Sequence, residues 1–503
     1  MIFSLIGGLR MKLALYLEGK IGAPSEQIII ITTMTAVIPF SLLNYLIHNK
    51  QARLLYSLIV GFIFHYSIYG TKSVHTIIGT IVSYIYTYYF GRKYPFYLLV
   101  ATMLHLSYLN IKRMIDDFGG WAIDDVSTIY MVFLAKYTSF CFSYSDGGKD
   151  PDTIKSSRLK KLRIEKFPNL LEYASFIYFY PTSLIGPFIE FKDFMNFIEL
   201  KDCYQNLTSN LGYIMSQGFQ KLCIGLFFTG FFAILCDRFP MYALGTAEFR
   251  EKYPLWWQRF LYSYACGPIG RAKYYIAWGL TYSSLIFSGM SYGETIKDGK
   301  IIRDVEKGSY GSILYNEFGM NPKWKLAYWN MSIHIWLKYN VYIRVLCLDG
   351  KLFKNNKVIA SFATFIFSAF WHGFYPSYYV SFFLVFLLEQ SGEFLNEVGF
   401  YKYAEEHKFT WPFVVLKTVF FYNMIGAIFY CLEIRTTKEI LTNFYGLPAN
   451  AIIAFYICSL IYRFTFMKKP KKEKIDDKKE PLKEKGKEGE KENDTDKQRK
   501  KVE

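Results

Sequence analysis

Apolar positions in this chain come in long runs. From about Gln27 to about Met467 one nearly uncharged stretch follows another, separated by short polar patches. The runs are Gln27–Ile47, Leu54–Tyr69, Val74–Phe90, Pro95–Ile111, Val126–Tyr144, Leu171–Ile189, Leu211–Cys236, Tyr274–Met290, Val358–Leu388, Trp411–Leu432 and Ala449–Phe466. Each is near the roughly 20 residues that a helix needs to cross hydrocarbon. Only helices and closed barrels satisfy their own backbone groups in lipid. Barrel strands would show short stretches of strict alternation, whereas these runs are continuously apolar. The pattern predicts an all-α, polytopic membrane protein with roughly 9–11 transmembrane or re-entrant helices.

Two segments interrupt the pattern. Asp146–Phe167 is a polar, basic loop, and Gly293–Pro322, with mixed charge and glycine, reads as a loop or a surface helix. At the start of the chain, residues 1–26 have no clean basic head, apolar core and small-residue cleavage site, so an interfacial amphipathic segment is expected there. Residues 27–467 form the membrane domain. Residues 468–503 are almost entirely Lys, Glu and Asp, a composition that cannot bury apolar surface and predicts a disordered tail. The tail ends in Lys500-Lys501-Val502-Glu503, the dilysine spacing read by retrograde transport coats on a cytosolic tail. It predicts residence in the endoplasmic reticulum membrane. No repeat of fixed period is visible, which removes support for a transporter built from two related halves.

Composition changes this picture little. Of 503 residues 52% are hydrophobic and 20% aromatic, and the formal net charge is +17. In a soluble chain such charge would suggest nucleic acid. On a membrane protein it fits anionic headgroups and the positive-inside bias, and no nucleic-acid partner is expected. The eight cysteines are dispersed without a C-x-x-C pair, so neither zinc nor a disulfide framework is signalled.

Four segments could carry chemistry. His372 lies at the end of an apolar run, with Gly373 and Pro376 just after it. Gly and Pro together interrupt a helix, and irregular backbone at membrane depth is tolerated only where it lines a cavity. An imidazole is suited to take a proton from a hydroxyl near neutral pH. In the second segment Asn330, His334, Lys338 and Tyr342 follow at helical spacing and share one face. That stripe reads equally as a tunnel wall or as the wet face of an interfacial helix. The third, Tyr178–Phe191, holds Pro181, Gly186 and Pro187 and predicts a broken helix acting as a hinge. In the fourth, Arg271 and Lys273 abut Tyr274, Tyr275 and Trp278, a pattern that fits either interfacial anchoring or binding of a phosphate-bearing carrier.

At these residues the chain resembles the membrane-bound O-acyltransferase family, in particular its lysophospholipid acyltransferase branch, roughly from Trp121 to Leu388. The family's Trp-His-Gly followed by Gly-Tyr appears as Trp371-His372-Gly373 and Ser377-Tyr378, with Ser377 where Gly is common. Its Trp-Asn followed by Trp-Leu-Lys appears as Trp329-Asn330 and Trp336-Leu337-Lys338. Its Gly-Pro element matches Gly186-Pro187, its basic Tyr-Tyr element matches Arg271 to Trp278, and Lys136–Phe140 is a further family-like run.

The resemblance implies helices around an internal tunnel, entered by acyl-CoA from the cytosol and by a lysophospholipid from the bilayer. It carries the catalytic pair onto His372 and Asn330. His372 removes the proton of a glycerol hydroxyl, that oxygen attacks the thioester, and Asn330 stabilises the oxyanion. Trp329, His334, Lys338, Arg271, Lys273, Tyr274 and Tyr378 are the candidate substrate- and acyl-CoA-binding residues. No metal and no cofactor are expected, acyl-CoA being a co-substrate. The other expected partners are the bilayer, a second copy of the chain in a homodimer, and coat proteins at the tail. The rival functions are a protein O-acyltransferase using the same pair, and a transporter or scaffold with His372 as a proton relay.

Overall fold

In a computed structural model the described residues are 12, 15, 16, 18, 19, 25–118, 125–154, 156–297, 299–348 and 356–467. The expected disorder of residues 468–503, the lysines at 500 and 501 and nearly all of the N-terminal segment 1–26 lie outside them.

The apolar runs become helices, mostly at the expected places. Ser25–Leu43 (α1), Lys50–Tyr69 (α2), Val74–Phe90 (α3), Pro95–Asp116 (α4) and Val126–Asp146 (α5) follow in order. Asn49 caps α2 by accepting from the Gln51 and Ala52 amides, and Asp125 caps α5 in the same way through Ser127. Both satisfy otherwise orphaned donors at a helix start. The run at 171–189 is broken, as its prolines predict: only Leu170–Ile177 (α6) is α-helical, and a 3-10 turn at Tyr180–Thr182 and irregular backbone follow. Leu211–Leu235 (α7) and the 32-residue Trp256–Phe287 (α8) come next. The segment 293–322 departs from expectation. It opens as an antiparallel hairpin, Gly293–Lys297 (β1) with Lys300–Asp304 (β2), because Gly299 supplies a positive φ of 74° at the turn and alternating side chains suit strand pairing. Then come Pro322–Tyr328 (α9), Met331–Leu337 (α10), Lys357–His372 (α11), Pro376–Glu397 (α12), Trp411–Cys431 (α13) and Leu447–Phe466 (α14).

Five stretches are long and apolar enough to cross a bilayer: Ile28–Leu46, Lys50–Phe90, Thr208–Leu235, Trp411–Cys431 and Leu447–Phe466. The other runs make helices that are shorter, such as α11 with 16 residues, or that carry more polar side chains. The surface agrees with a lipid setting. On α7, Phe219, Phe227 and Ile234 are each more than 60% exposed, an apolar face far larger than a water-soluble monomer tolerates. Exposed Tyr88, Tyr89, Tyr94 and Tyr97 cluster where α3 gives way to α4, with Trp256 and Trp257 at the start of α8, the placement of an interfacial aromatic belt.

Helix α5 is the central post, buried on every side. Its Lys136, fully buried, donates from Nζ to the carbonyls of Phe176 and Ile177 at 3.1 and 2.9 Å and to Thr182 Oγ1 at 2.7 Å. All three ammonium donors are used, and they cap the α6 C-terminus where Pro181 ends the helix. Helices α7 and α8 approach through small residues. A Cβ at Gly279 would lie 2.8 Å from Gly225 Cα, and one at Gly218 2.8 Å from the Phe287 ring. Close small-residue contact is the usual glue of helices in lipid. Gly279→Leu should force the pair apart at a cost of about 1–3 kcal/mol, read as a lower melting temperature of the purified protein in detergent. A variant melting with the wild type would show that this seam is loose.

Candidate active site

Between two apolar clusters, one around α5 and one around α12 and α13, lies a cavity of about 340 Å³. Its walls come from α5 (Thr128, Met131, Val132), the irregular segment after α6 (Ile185, Pro187, Phe188), α8, α10, the end of α11, α12 and α13. The lining is largely apolar, with few polar groups.

His372 is the last residue of α11. The helix stops there because Gly373 adopts φ 128°, a conformation a side chain resists, and Pro376 starts the next helix at its first turn. Gly373 also packs on Asn110 of α4, whose Cγ would lie 3.4 Å from an added Cβ. The half-buried His372 ring is held by aromatic neighbours: Trp371 at 4.9 Å, Phe429 at 5.2 Å, Phe382 at 5.3 Å and Tyr378 at 5.8 Å between centroids. It opens on the cavity.

Asn330 reaches the same cavity by a different device. Trp329 is extended, and Asn330 has φ 44° and ψ 54°, immediately before α10. Asn is one of the few side-chain-bearing residues that enter this left-handed region readily, and such outliers concentrate at functional sites. The kink brings Trp329 and Asn330 both to the cavity wall. Its geometry is fixed by the Met331 amide donating to the Tyr310 carbonyl at 3.1 Å and the His334 amide to the Asn330 carbonyl at 3.0 Å.

Two tryptophans tie the His and Asn elements to α5. Trp371 Nε1 donates to the Met131 carbonyl at 3.3 Å, and Trp336 Nε1 donates to Thr138 Oγ1 at 3.2 Å. Their rings meet at 5.9 Å.

The other expected site residues divide. Trp329, His334, Arg271 and Tyr274 line the cavity, whereas Lys273, Lys338 and Tyr378 are not on its wall. Trp329 packs edge-on against Trp278 at 4.8 Å and Tyr274 at 5.4 Å, so the second and fourth sequence segments form one aromatic wall. Arg271 binds Glu317 through Nε at 2.7 Å and through the second fork nitrogen at 2.5 Å, and donates to Asn423 at 2.8 Å. Lys273 lies over the Tyr430 ring at 3.9 Å. Tyr378 stands behind His372, stacked on Phe429 at 4.4 Å.

The helical stripe expected at 330, 334, 338 and 342 does not persist. Asn330 precedes the helix, and Lys338–Tyr342 forms a π-helical turn. The wider turn shifts the register, so Asn330 and His334 reach the cavity and Lys338 does not. Beyond the turn, Arg344 closes a bidentate pair on the buried Asp146 at the end of α5, with one bond of 2.8 Å.

Several lining residues carry no signal in the sequence: Phe382, Phe429, Lys325 and Tyr422 sit in ordinary apolar or mixed stretches. The Gly186-Pro187 segment, expected as a hinge, supplies cavity wall. A second cavity of about 240 Å³ shares Phe188, Gly308 and Ser332 with the first and is edged by Arg158, Lys161 and Lys307 together with Glu190, Asp193 and Glu306. The basic loop 146–167 and the stretch after the hairpin thus meet at one end of the main cavity.

A multi-pass membrane protein that buries a histidine and a kinked asparagine on one apolar chamber is thereby defined. The chain belongs to the membrane-bound O-acyltransferase family, whose profile matches residues 84–432. It is similar to a lysophospholipid acyltransferase of Schizosaccharomyces pombe, 26% identical over 404 residues, covering 78% of this chain and 74% of that protein. It is also similar to lysophospholipid acyltransferase 5 of Homo sapiens, 24% identical over 379 residues with 74% of each chain covered. A Saccharomyces cerevisiae lysophospholipid acyltransferase is 28% identical over 328 residues, which span 61% of this chain and 51% of that protein.

Proposed function

We propose that this protein is a lysophospholipid acyltransferase that moves a fatty acyl group from acyl-CoA to the free hydroxyl of a lysophospholipid. The observation that carries the proposal is the meeting of His372 and Asn330, from two separate sequence elements, on one apolar cavity within membrane helices. In the proposed reaction His372 takes the hydroxyl proton, the oxygen attacks the thioester carbonyl, and Asn330 donates to the oxyanion. The tetrahedral intermediate collapses with loss of the CoA thiolate, which takes up a proton. A dry wall strengthens such a donor relative to water, and here it is supplied by Trp278, Trp329, Phe382 and Phe429. Acyl-CoA is an anion at one end and apolar at the other. Its phosphates would lie toward Arg158, Lys161 and Lys307, where the second cavity joins the first, and its acyl chain in the apolar chamber.

The proposal extends to the setting. Residues 27–467 form the membrane domain, the dilysine tail engages coat proteins and holds the enzyme in the endoplasmic reticulum, and the enzyme works as a homodimer. Incubating the purified full chain with labelled oleoyl-CoA and, in separate arms, lysophosphatidylcholine, lysophosphatidylethanolamine or a serine-bearing peptide tests the function. Label should enter the lysophospholipids. Label entering the peptide alone would convert the assignment to a protein acyltransferase.

A further inference from the structure

The main cavity has a second end, away from the basic rim at Lys307. Along α8 its lining runs from Tyr282 back through Trp278 and Tyr274 to Arg271, a span of about 16 Å at 1.5 Å per residue. At the Arg271 end the wall also includes Lys325 of α9, with Asn316 and Tyr422 beside it. Lys325 is only 3% exposed, so an ammonium group lies inside an otherwise apolar membrane protein.

The two cations at this end are held differently. The Arg271 fork is neutralised by Glu317, which also accepts from the Tyr275 hydroxyl at 2.5 Å. Lys325 has no such partner: among the described residues no carboxylate lies within ion-pair distance of it. Its Nζ donates to the Asn316 carbonyl and, at 3.5 Å, to the Tyr315 carbonyl, and it lies 5.5 Å from the centre of the Tyr422 ring. Two carbonyls leave one of its three donors, and Lys325 forms part of the cavity wall. Arg271, Glu317 and Lys325 together carry one net positive charge. A buried charge left without a counterion is costly, and a ligand bringing one negative charge would relieve that cost.

From this we infer that Lys325 binds the phosphate of the lysophospholipid acceptor. The inference rests on the acyltransferase assignment above and adds to it the group that seats the acceptor. The dimensions agree. In a lysophospholipid the phosphorus is four bonds from the sn-2 oxygen, a reach of about 5 Å with bonds near 1.5 Å. Arg271 and Trp278 are about 10 Å apart along the helix, and Trp278 touches Trp329, the neighbour of Asn330. A hydroxyl at Asn330 and His372 therefore puts its phosphate part-way to the Arg271 end, and the long Lys325 side chain spans what remains. Lysine serves such a site as a point charge on oxygen. The recognised feature is the phosphate shared by all lysophospholipids, so Lys325 separates them from monoacylglycerol, which offers the same hydroxyl and chain without it.

The test compares lysophosphatidate with monoacylglycerol of the same acyl chain, using the purified full-length protein in nanodiscs. Affinity for each is measured in wild type, Lys325→Gln and Lys325→Arg, together with KM for oleoyl-CoA. Lys325→Gln should weaken lysophosphatidate binding about 10- to 100-fold, as expected for loss of a buried charge-assisted bond of about 1.5–3 kcal/mol. Lys325→Arg should recover most of that loss. Monoacylglycerol affinity and the KM for oleoyl-CoA should not move. Equal weakening for both acceptors, or none for lysophosphatidate, overturns the inference while leaving the enzyme assignment intact. Failure of the wild type to acylate any lysophospholipid overturns the assignment and the inference with it. Should Lys325→Gln not fold, the wild type decides: tighter binding of lysophosphatidate than of monoacylglycerol supports the site, and equal binding removes it.

Discussion

His372→Ala and His372→Gln are each expected to lower the rate of acyl transfer by about 10²–10⁴-fold, the range contributed by a positioned general base. Glutamine approximates the volume of the ring and should keep Trp371, Phe382 and Phe429 in place around it, so its loss would be chemical. Alanine removes the ring from an aromatic nest with centroids at 4.9–5.8 Å and should also lower the melting temperature. The comparison separates the two effects, since a structural role predicts that activity follows stability across the pair. A folded glutamine variant with turnover near that of wild type would end the assignment of His372 as base. His372 forms the C-terminus of α11, and no helix continues past Gly373 to carry it elsewhere. Its position is therefore set by where α11 stops.

Substitutions at Asn330 should divide by what they do to the backbone. The residue combines a carboxamide on the cavity wall with a left-handed conformation at φ 44°. Asn330→Gly keeps the conformation and removes the amide. Asn330→Ala removes the amide and adds roughly 1–2 kcal/mol of backbone strain. If the amide stabilises the oxyanion, both should lose about 10²–10³ in kcat, and only alanine should melt lower. Full activity in the glycine variant, with loss in alanine, would assign the turn at 329–330 to structure and withdraw the oxyanion role. Asn330→Asp should also be inactive, since a carboxylate cannot donate and would repel the developing negative charge.

Much of the architecture is readable from local pattern because the causes act over a few residues. A continuous apolar run of near-spanning length is stable in lipid only as a helix, and prolines end helices wherever they stand. Thus α3 matches its run, Val74–Phe90, and the run at 171–189 breaks at its prolines. The hairpin at 293–304 was less visible. Its strands are five residues each and largely exposed, so no apolar periodicity marks them.

The site shows the same division. His372 was legible because glycine and proline beside a histidine at the end of an apolar run are a local signal with a local consequence. The Trp-Asn pair was legible as residues but not as geometry: helical spacing placed Lys338 on the face of Asn330, and the π turn at Lys338–Tyr342 removed it. Lys273 looked like an anion-binding group beside Arg271, yet it lies on the Tyr430 ring.

By itself, then, the sequence determined that this chain is helical and membrane-embedded, that helices break near Pro181 and Gly373, and which histidine and asparagine to watch. Only the tertiary structure decided that these two share one cavity with Lys325 and Phe429, and that Arg271 is already matched by Glu317. The physical reason is range. Helix formation and termination depend on neighbours within a turn or two, whereas a cavity wall is assembled from side chains hundreds of residues apart, whose facing directions follow from how whole helices pack.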